Sequence, residues 1–209
     1  MIRVHHLEQS RSFRVLWLLE ELGLPYELVE YSRDPKTRLA PPELERVNAL
    51  GKSPVIEDGA VTLIESGAII DYLIRRRGGG RFAPDPATAD YDRYQMWLHY
   101  AEGSAMLPVM LNLYVTTRGG ETPPLRARIN DELVRHRDYI AAALADGGYL
   151  VGPAPTGADV NLAFVAELLD AAAPGAATPA IQDWLTRLKA RPAYRAAIER
   201  GGDPALRRG

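Results

Sequence analysis

The hydrophobic period of this chain changes near residue 80, and that change limits the folds open to it. Before it, short alternating runs interleave with helical ones. Ile2–Leu7 and "YELVEY" (Tyr26–Tyr31) alternate as half-buried strands do. Between them, Phe13–Leu22 places Val15, Leu16, Leu18, Leu19 and Leu22 at helical spacing, and Gly23 with Pro25 ends the run. "PPELERVN" (Pro41–Asn48) reads as a short helix with prolines at its start. "SPVIED" (Ser53–Asp58) and "AVTLIE" (Ala60–Glu65) flank Asp58-Gly59, a two-residue hairpin signal. Glu65–Arg77 then reads as a helix that turns Ala68, Ile69, Tyr72 and Leu73 toward a core. A βαβ unit followed by a ββα unit makes one small α/β domain.

After this domain the pattern is helical only. The stretch Gly78–Asp90, "GGGRFAPDPATAD", has the composition of a linker. Tyr91–Tyr114 reads as a long helix kinked at Pro108, and Arg126–Leu144 as a second long helix. Pro155–Ala173 is apolar on several sides, as a buried central helix is. Pro179–Tyr194 reads as a helix pair interrupted by Pro192. The expected organisation is an α/β domain over residues 1–80, a linker over 81–90 and an all-helical domain over 91–209.

Composition removes several classes of function. The 209 residues carry a formal net charge of -2, so neither nucleic acid nor an anionic membrane is an expected partner. No uncharged apolar run is long enough to span a bilayer. The chain opens directly on the strand-like "MIRVHHL" without a signal-peptide pattern, so a cytoplasmic location is expected. There is no cysteine, which excludes disulfides, thiolate metal sites and a protein-borne thiol nucleophile. His5, His6, His99 and His136 form no zinc spacing, and the adjacent His5-His6 pair points to opposite faces of a strand. The glycines of "RRRGGGR" follow a helix and read as its stop, with no phosphate-binding role. Any sulfur chemistry must therefore use a sulfur that a ligand brings.

Two hydroxyls, Ser10 and Ser12, stand in the turn between the first strand and the first helix. As residues alone they read as helix caps, because serine is a preferred N-cap. Ser66 opens the helix after the hairpin and reads the same way, with Glu65 before it. Thr156 and Asp159 form a capping-box variant ahead of an apolar run.

Three segments carry a family likeness: "SRSFRVLWLLEELGLPYEL", "NALGKSPVIEDGAVTLIESGAIIDYL" and "GADVNLA". Over nearly its whole length the chain resembles the cytosolic glutathione transferases, in their serine-type, theta-like or bacterial and fungal branch. The resemblance implies an α/β thioredoxin-like N-terminal domain and an all-α C-terminal domain. It implies that Ser10 faces the sulfur of glutathione, with Ser12 as the rival for that role. Tyrosine-type relatives place a tyrosine where this chain has His5, His6 and Leu7. The resemblance also implies a cis Ser53-Pro54 bond, with the backbone of Ser53 meeting the cysteinyl part of glutathione. Most relatives have an apolar residue at that serine. Lys52 would meet the glycine carboxylate, Ser66 the γ-glutamyl carboxylate and Glu65 the γ-glutamyl ammonium. Asp159 is structural on this reading.

The implied reaction is conjugation of the glutathione thiol to a small hydrophobic electrophile. Glutathione is then a co-substrate, and no tightly bound cofactor or metal is expected. The electrophile site is expected between the two domains, lined by Trp97, Tyr100 and Tyr114 with Met96, Met106 and Met110. A homodimer is implied as well. Two other activities fit the same residues: a glutathione-dependent disulfide reductase or peroxidase, and a glutathione-binding protein without turnover.

Overall fold

The computed structural model describes residues 1–204. Four strands form one mixed sheet in the order β2-β1-β3-β4. Strand β1 (Ile2–Leu7) runs parallel to β2 (Tyr26–Tyr31), with Val4 opposite Leu28. It runs antiparallel to β3 (Val55–Asp58), which pairs with β4 (Val61–Ile64). The parallel pair needs a crossover, and α1 (Phe13–Leu22) supplies it. Gly23 closes α1 in the left-handed conformation at φ 64°, where its N–H reaches the Glu20 and Leu19 carbonyls. The hairpin turn lies one residue later than expected. Asp58 pairs with Val61, so Gly59 and Ala60 form the loop, and Gly59 takes the φ of 64°. Asp58 instead accepts from Tyr72 Oη at 3.0 Å and Arg77 Nε at 2.6 Å, and Arg77 holds its carboxyl below the usual carboxylate range.

"PPELERVN" forms a 3₁₀ turn (Pro42–Arg46) in place of a short α-helix. Helix α2 (Ser66–Arg76) buries Ile69, Ile70, Leu73 and Ile74, whereas Ala68 is exposed and Tyr72 half-buried. The core stripe thus lies one position further round the helix than the spacing suggested.

The helical unit begins with α3 (Ala89–Tyr100), which continues through a π-helical segment (Ala101–Ala105) into α4 (Met106–Arg118). The break expected at Pro108 falls in the preceding turn. A proline has no N–H to donate and its ring crowds the carbonyl four residues back, here that of Ser104. The ladder widens where that loss occurs. Helices α5 (Pro123–Ala143), α6 (Gly157–Ala172) and α7 (Pro179–Lys189) follow. Most of α6 is buried, and Asn161 donates to the Leu98 carbonyl at 2.9 Å.

Chain contacts divide the molecule into two units, Met1–Phe82 with the segment from Ala190, and Ala83–Lys189. The helical pattern alone puts the segment from Ala190 in the helical domain. In the structure α8 (Pro192–Gly201) packs on α1 of the first unit. Arg191 makes a two-pronged contact with Glu21 at 2.5 and 2.8 Å, and Arg200 lies over the Tyr26 ring at 4.4 Å.

Asp159 anchors the second unit. Its buried carboxylate accepts from Leu150 N (3.0 Å), Thr156 N and Oγ1 (2.8 Å each) and Trp184 Nε1 (3.0 Å). Burial pushes its carboxyl up, and these four donors act against that rise. Truncation strands several buried donors, each costing about 1–3 kcal/mol. Asp159→Ala is expected to lower the melting temperature by about 10 °C, measured by calorimetry.

Candidate active site

The site grows from the turn between β1 and α1. Ser12 occupies the N-cap position of α1, but its backbone is already helical (φ -66°, ψ -21°) and its hydroxyl caps nothing. The first N–H groups of the helix go to backbone carbonyls: Phe13 to Ser10, Arg14 to Arg11 and Val15 to Ser12. Both serine hydroxyls are therefore released from the capping role that residue type alone suggested.

The Ser12 hydroxyl turns inward and is fully buried. It lies 2.8 Å from His6 Nδ1 and 2.7 Å from Ser10 Oγ, and it accepts from the Leu7 N–H at 3.3 Å. Ser10 ends this group and is buried as well, with 9% of its surface exposed. Its hydroxyl oxygen also accepts the Ser12 N–H at 3.2 Å.

Ser53 joins the same cluster from the other side. The Ser53-Pro54 bond is cis. Continuing the β1–β3 register would set Leu7 opposite Ser53 and His6 opposite Pro54. Pro54 has no N–H, so the ladder cannot continue through it. The Ser53 hydroxyl bridges the gap, donating to the His5 carbonyl at 2.7 Å and accepting from Leu7 N at 3.2 Å. That gives the serine at this position a structural role.

Ser66 is buried at the start of α2, and Arg14 Nη1 from the first turn of α1 donates to its hydroxyl at 3.0 Å. The openings of α1 and α2 are thus side by side. Glu65 is exposed and stands at φ 69°, an uncommon value for a residue with a side chain. Lys52 is exposed too, with its carbonyl taking a hydrogen bond from Asn48 Nδ2 at 3.1 Å.

Of the three residues suggested for electrophile contact, Trp97 and Tyr100 lie together on α3 and Tyr114 lies on α4. Trp97 is buried and meets Tyr100 edge-on at 5.2 Å. The Tyr100 hydroxyl lies 2.6 Å from His136 Nδ1, and burial raises its pKa. Tyr114, on the next helix, is exposed, as is Met96, whereas Met106 is buried.

Sequence reasoning missed two residues here. Arg14 is a buried arginine within the apolar run of α1, an anomaly visible in the sequence. His6 gains no role from the sequence, where it and His5 point to opposite faces of a strand. It is buried, with Nδ1 toward Ser12 and Nε2 2.8 Å from the Gly201 carbonyl on α8. Burial lowers its pKa, disfavouring the charged ring, while Gly201, Glu30 and Glu8 act in the opposite sense. Among the described residues no group of acidic or histidine side chains is placed to hold a metal ion, and no helix is long and apolar enough to cross a membrane.

This geometry defines a thioredoxin-like domain whose cis-proline turn and two helix starts converge, followed by an all-helical unit. Comparison with known proteins gives the family. Residues 1–75 match the model for the glutathione S-transferase N-terminal domain, and residues 123–200 match that for the C-terminal domain. Glutathione S-transferase 3 of Schizosaccharomyces pombe is 34% identical over 78% of this chain and 72% of its own length. Glutathione S-transferase 1 of Saccharomyces cerevisiae is 30% identical over 96% of this chain and 95% of its own. A solved glutathione S-transferase structure from Actinobacillus pleuropneumoniae superposes with a TM-score of 0.88 at 33% identity, covering 96% of this chain and 93% of that one. The chain belongs to the glutathione transferase family of enzymes.

The contact of His6 with α8 leaves no room for a side chain at Gly201. A Cβ there would lie 2.3 Å from Leu16 Cδ1 and 3.1 Å from His6 Nε2. Gly201→Ala is expected to cost about 1–3 kcal/mol through overpacking, read as a lower midpoint in urea unfolding.

Proposed function

We propose that this chain activates the thiol of glutathione for attack on a small hydrophobic electrophile, with Ser10 as the hydroxyl that faces the sulfur. The observation that carries the reading is the division of labour between the two serines. Ser12 is fully buried with its partners inside the protein, while Ser10, also buried, keeps 9% of its surface exposed and ends the same hydrogen-bonded group. An external thiol can meet Ser10 without dismantling the turn.

The energetics are sufficient. A free thiol has a pKa of about 8.5, so little of it is thiolate at neutral pH. Lowering that pKa by about two units takes about 2.7 kcal/mol. A hydrogen bond to a charged group supplies about 1.5–3 kcal/mol. The positive end of α1 adds about 0.3–1 kcal/mol.

The rest of the tripeptide is assigned by charge and edge pairing. The Ser53 backbone beside Pro54 pairs with the cysteinyl residue, as an extended peptide pairs with an open strand edge. Ser66 and the start of α2 take the γ-glutamyl carboxylate, Glu65 takes its ammonium and Lys52 the glycine carboxylate. Trp97, Tyr100 and Tyr114 are proposed to contact the electrophile, and the active form is proposed to be a cytoplasmic homodimer.

Reduced glutathione is expected to raise the melting temperature in proportion to the logarithm of its concentration, corresponding to about 2.7 kcal/mol at a hundredfold excess over Kd. The absence of any shift at millimolar glutathione would overturn the reading, and a larger shift with oxidised glutathione would favour a disulfide reductase. Ser10→Ala is expected to slow conjugation of a halogenated aromatic by about 10- to 100-fold at neutral pH with little change in glutathione affinity. Retention of full rate in that variant, with loss in Ser12→Ala, would reassign the thiol partner.

A further inference from the structure

Hydrogen-bond polarity at the β1–α1 turn leads from Ser10 to a proton acceptor. A carbonyl only accepts, so the 2.8 Å contact between His6 Nε2 and Gly201 O requires the proton on Nε2. Burial lowers the pKa of the ring and so favours its neutral form, in which Nδ1 is bare. Ser12 Oγ has two acceptors within reach, Nδ1 at 2.8 Å and the Leu7 carbonyl at 3.3 Å, and the shorter contact, to a bare ring nitrogen, takes its proton. Its single proton is spent, so the 2.7 Å contact between the serines requires Ser10 to donate to Ser12. In this resting order every proton points inward. A hydroxyl that stabilises a thiolate must point its proton outward.

Reversing the order needs one more proton at the inner end. We propose that His6 receives the thiol proton of glutathione through Ser10 and Ser12, so that thiolate and imidazolium form together within the protein. The inference rests on the reading that Ser10 faces the thiol. The step balances. The S–H bond breaks and its proton passes to Ser10 Oγ, the Ser10 proton passes to Ser12 Oγ, and the Ser12 proton passes to His6 Nδ1. The electron pair of the S–H bond stays on sulfur, and a new N–H bond forms at His6. Each hydroxyl ends with one proton, now directed outward, and the Nε2–H bond to Gly201 is untouched.

The surroundings fit this assignment. Glu30 on β2 and Glu8 in the turn after β1 are the charged groups that favour an imidazolium at His6. From α8 the ring meets the Gly201 carbonyl in the last turn, the end of a helix that favours positive charge. From α1 it meets Ser12, which is not titratable in this range. Burial opposes the charge and keeps the ring ready as an acceptor before glutathione arrives.

The test counts protons. Reduced glutathione is added to the intact protein in weak buffer at about pH 7, well below the pKa of the free thiol. Thiolate is followed by its ultraviolet absorbance and proton release by a pH indicator. S-methylglutathione, which has no ionisable thiol, gives the release due to the rest of the tripeptide. The expected result is thiolate absorbance with no proton release beyond that of S-methylglutathione, and ring-nitrogen NMR shifts that move His6 from neutral to imidazolium. In His6→Asn the amide oxygen stands in for Nδ1 as an acceptor but takes no proton. That variant is expected to lose the thiolate at this pH, or to form it only with one proton released per thiolate. One extra proton released per thiolate by the wild type, with His6 still neutral, would overturn the relay and leave Ser10 as thiol partner. Absence of thiolate in the wild type, or its persistence in Ser10→Ala, would remove the Ser10 reading and the relay together. The wild-type measurement decides even if the variant fails to fold.

Discussion

The burial of α1 is the constraint on which the first unit depends. Every residue from Phe13 to Leu19 is buried, so the helix contacts protein on all sides of its first two turns. Such a helix gains from apolar transfer but cannot leave polar groups unpaired at its start. The first N–H groups turn back to the carbonyls of the entering loop, and the Ser12 hydroxyl turns to His6 and Leu7. Strand, turn and helix are thereby joined by polar contacts that tolerate little displacement. A site built on them is held in place by the core.

The segment beyond Ala190 completes that core. α8 covers α1, the Gly201 carbonyl fixes the protonation of His6, and the Arg191–Glu21 and Arg200–Tyr26 contacts hold the two helices together. A residue nearly two hundred positions from Ser12 therefore sets the direction in which the Ser12 proton points. Ser53 works similarly on the other side of β1. It replaces a ladder bond that Pro54 cannot make and so keeps the end of β1 paired up to Leu7.

Much of this architecture is legible in the sequence because it rests on local signals. Period-two runs mark β1 and β2, Gly23 marks the end of α1, and the Thr156–Asp159 spacing marks the start of α6. The residues carrying the family likeness are also contiguous and local. What escaped depends on contacts distant in sequence. The pairing of His6 with Gly201 spans 195 positions and leaves no periodic trace. The π segment at Ala101–Ala105 is the response of a ladder to a proline placed beyond it, and residue types within the segment do not announce it. The attachment of α8 to the first unit follows from which apolar faces meet, and a segment pattern that is helical either way cannot distinguish the two hosts. Ser12 reads as a cap because serine at a helix start normally is one. Its hydroxyl is diverted because a neutral imidazole stands 2.8 Å away.

The absence of cysteine gives this arrangement its chemical sense. A protein thiol beside a bound thiol is open to disulfide formation under oxidising conditions, whereas a serine hydroxyl is not. A hydroxyl also donates and accepts through one oxygen, so two in series can carry a hydrogen-bond chain in either direction. An amide in either place would fix donor and acceptor on different atoms and hold the chain in one direction. Two serines ending on an imidazole form a short path that can reverse, and the imidazole is the one side chain whose ordinary pKa lies near neutrality. On the proposed relay, the residue types at positions 6, 10 and 12 serve proton transfer as well as the fold of the turn.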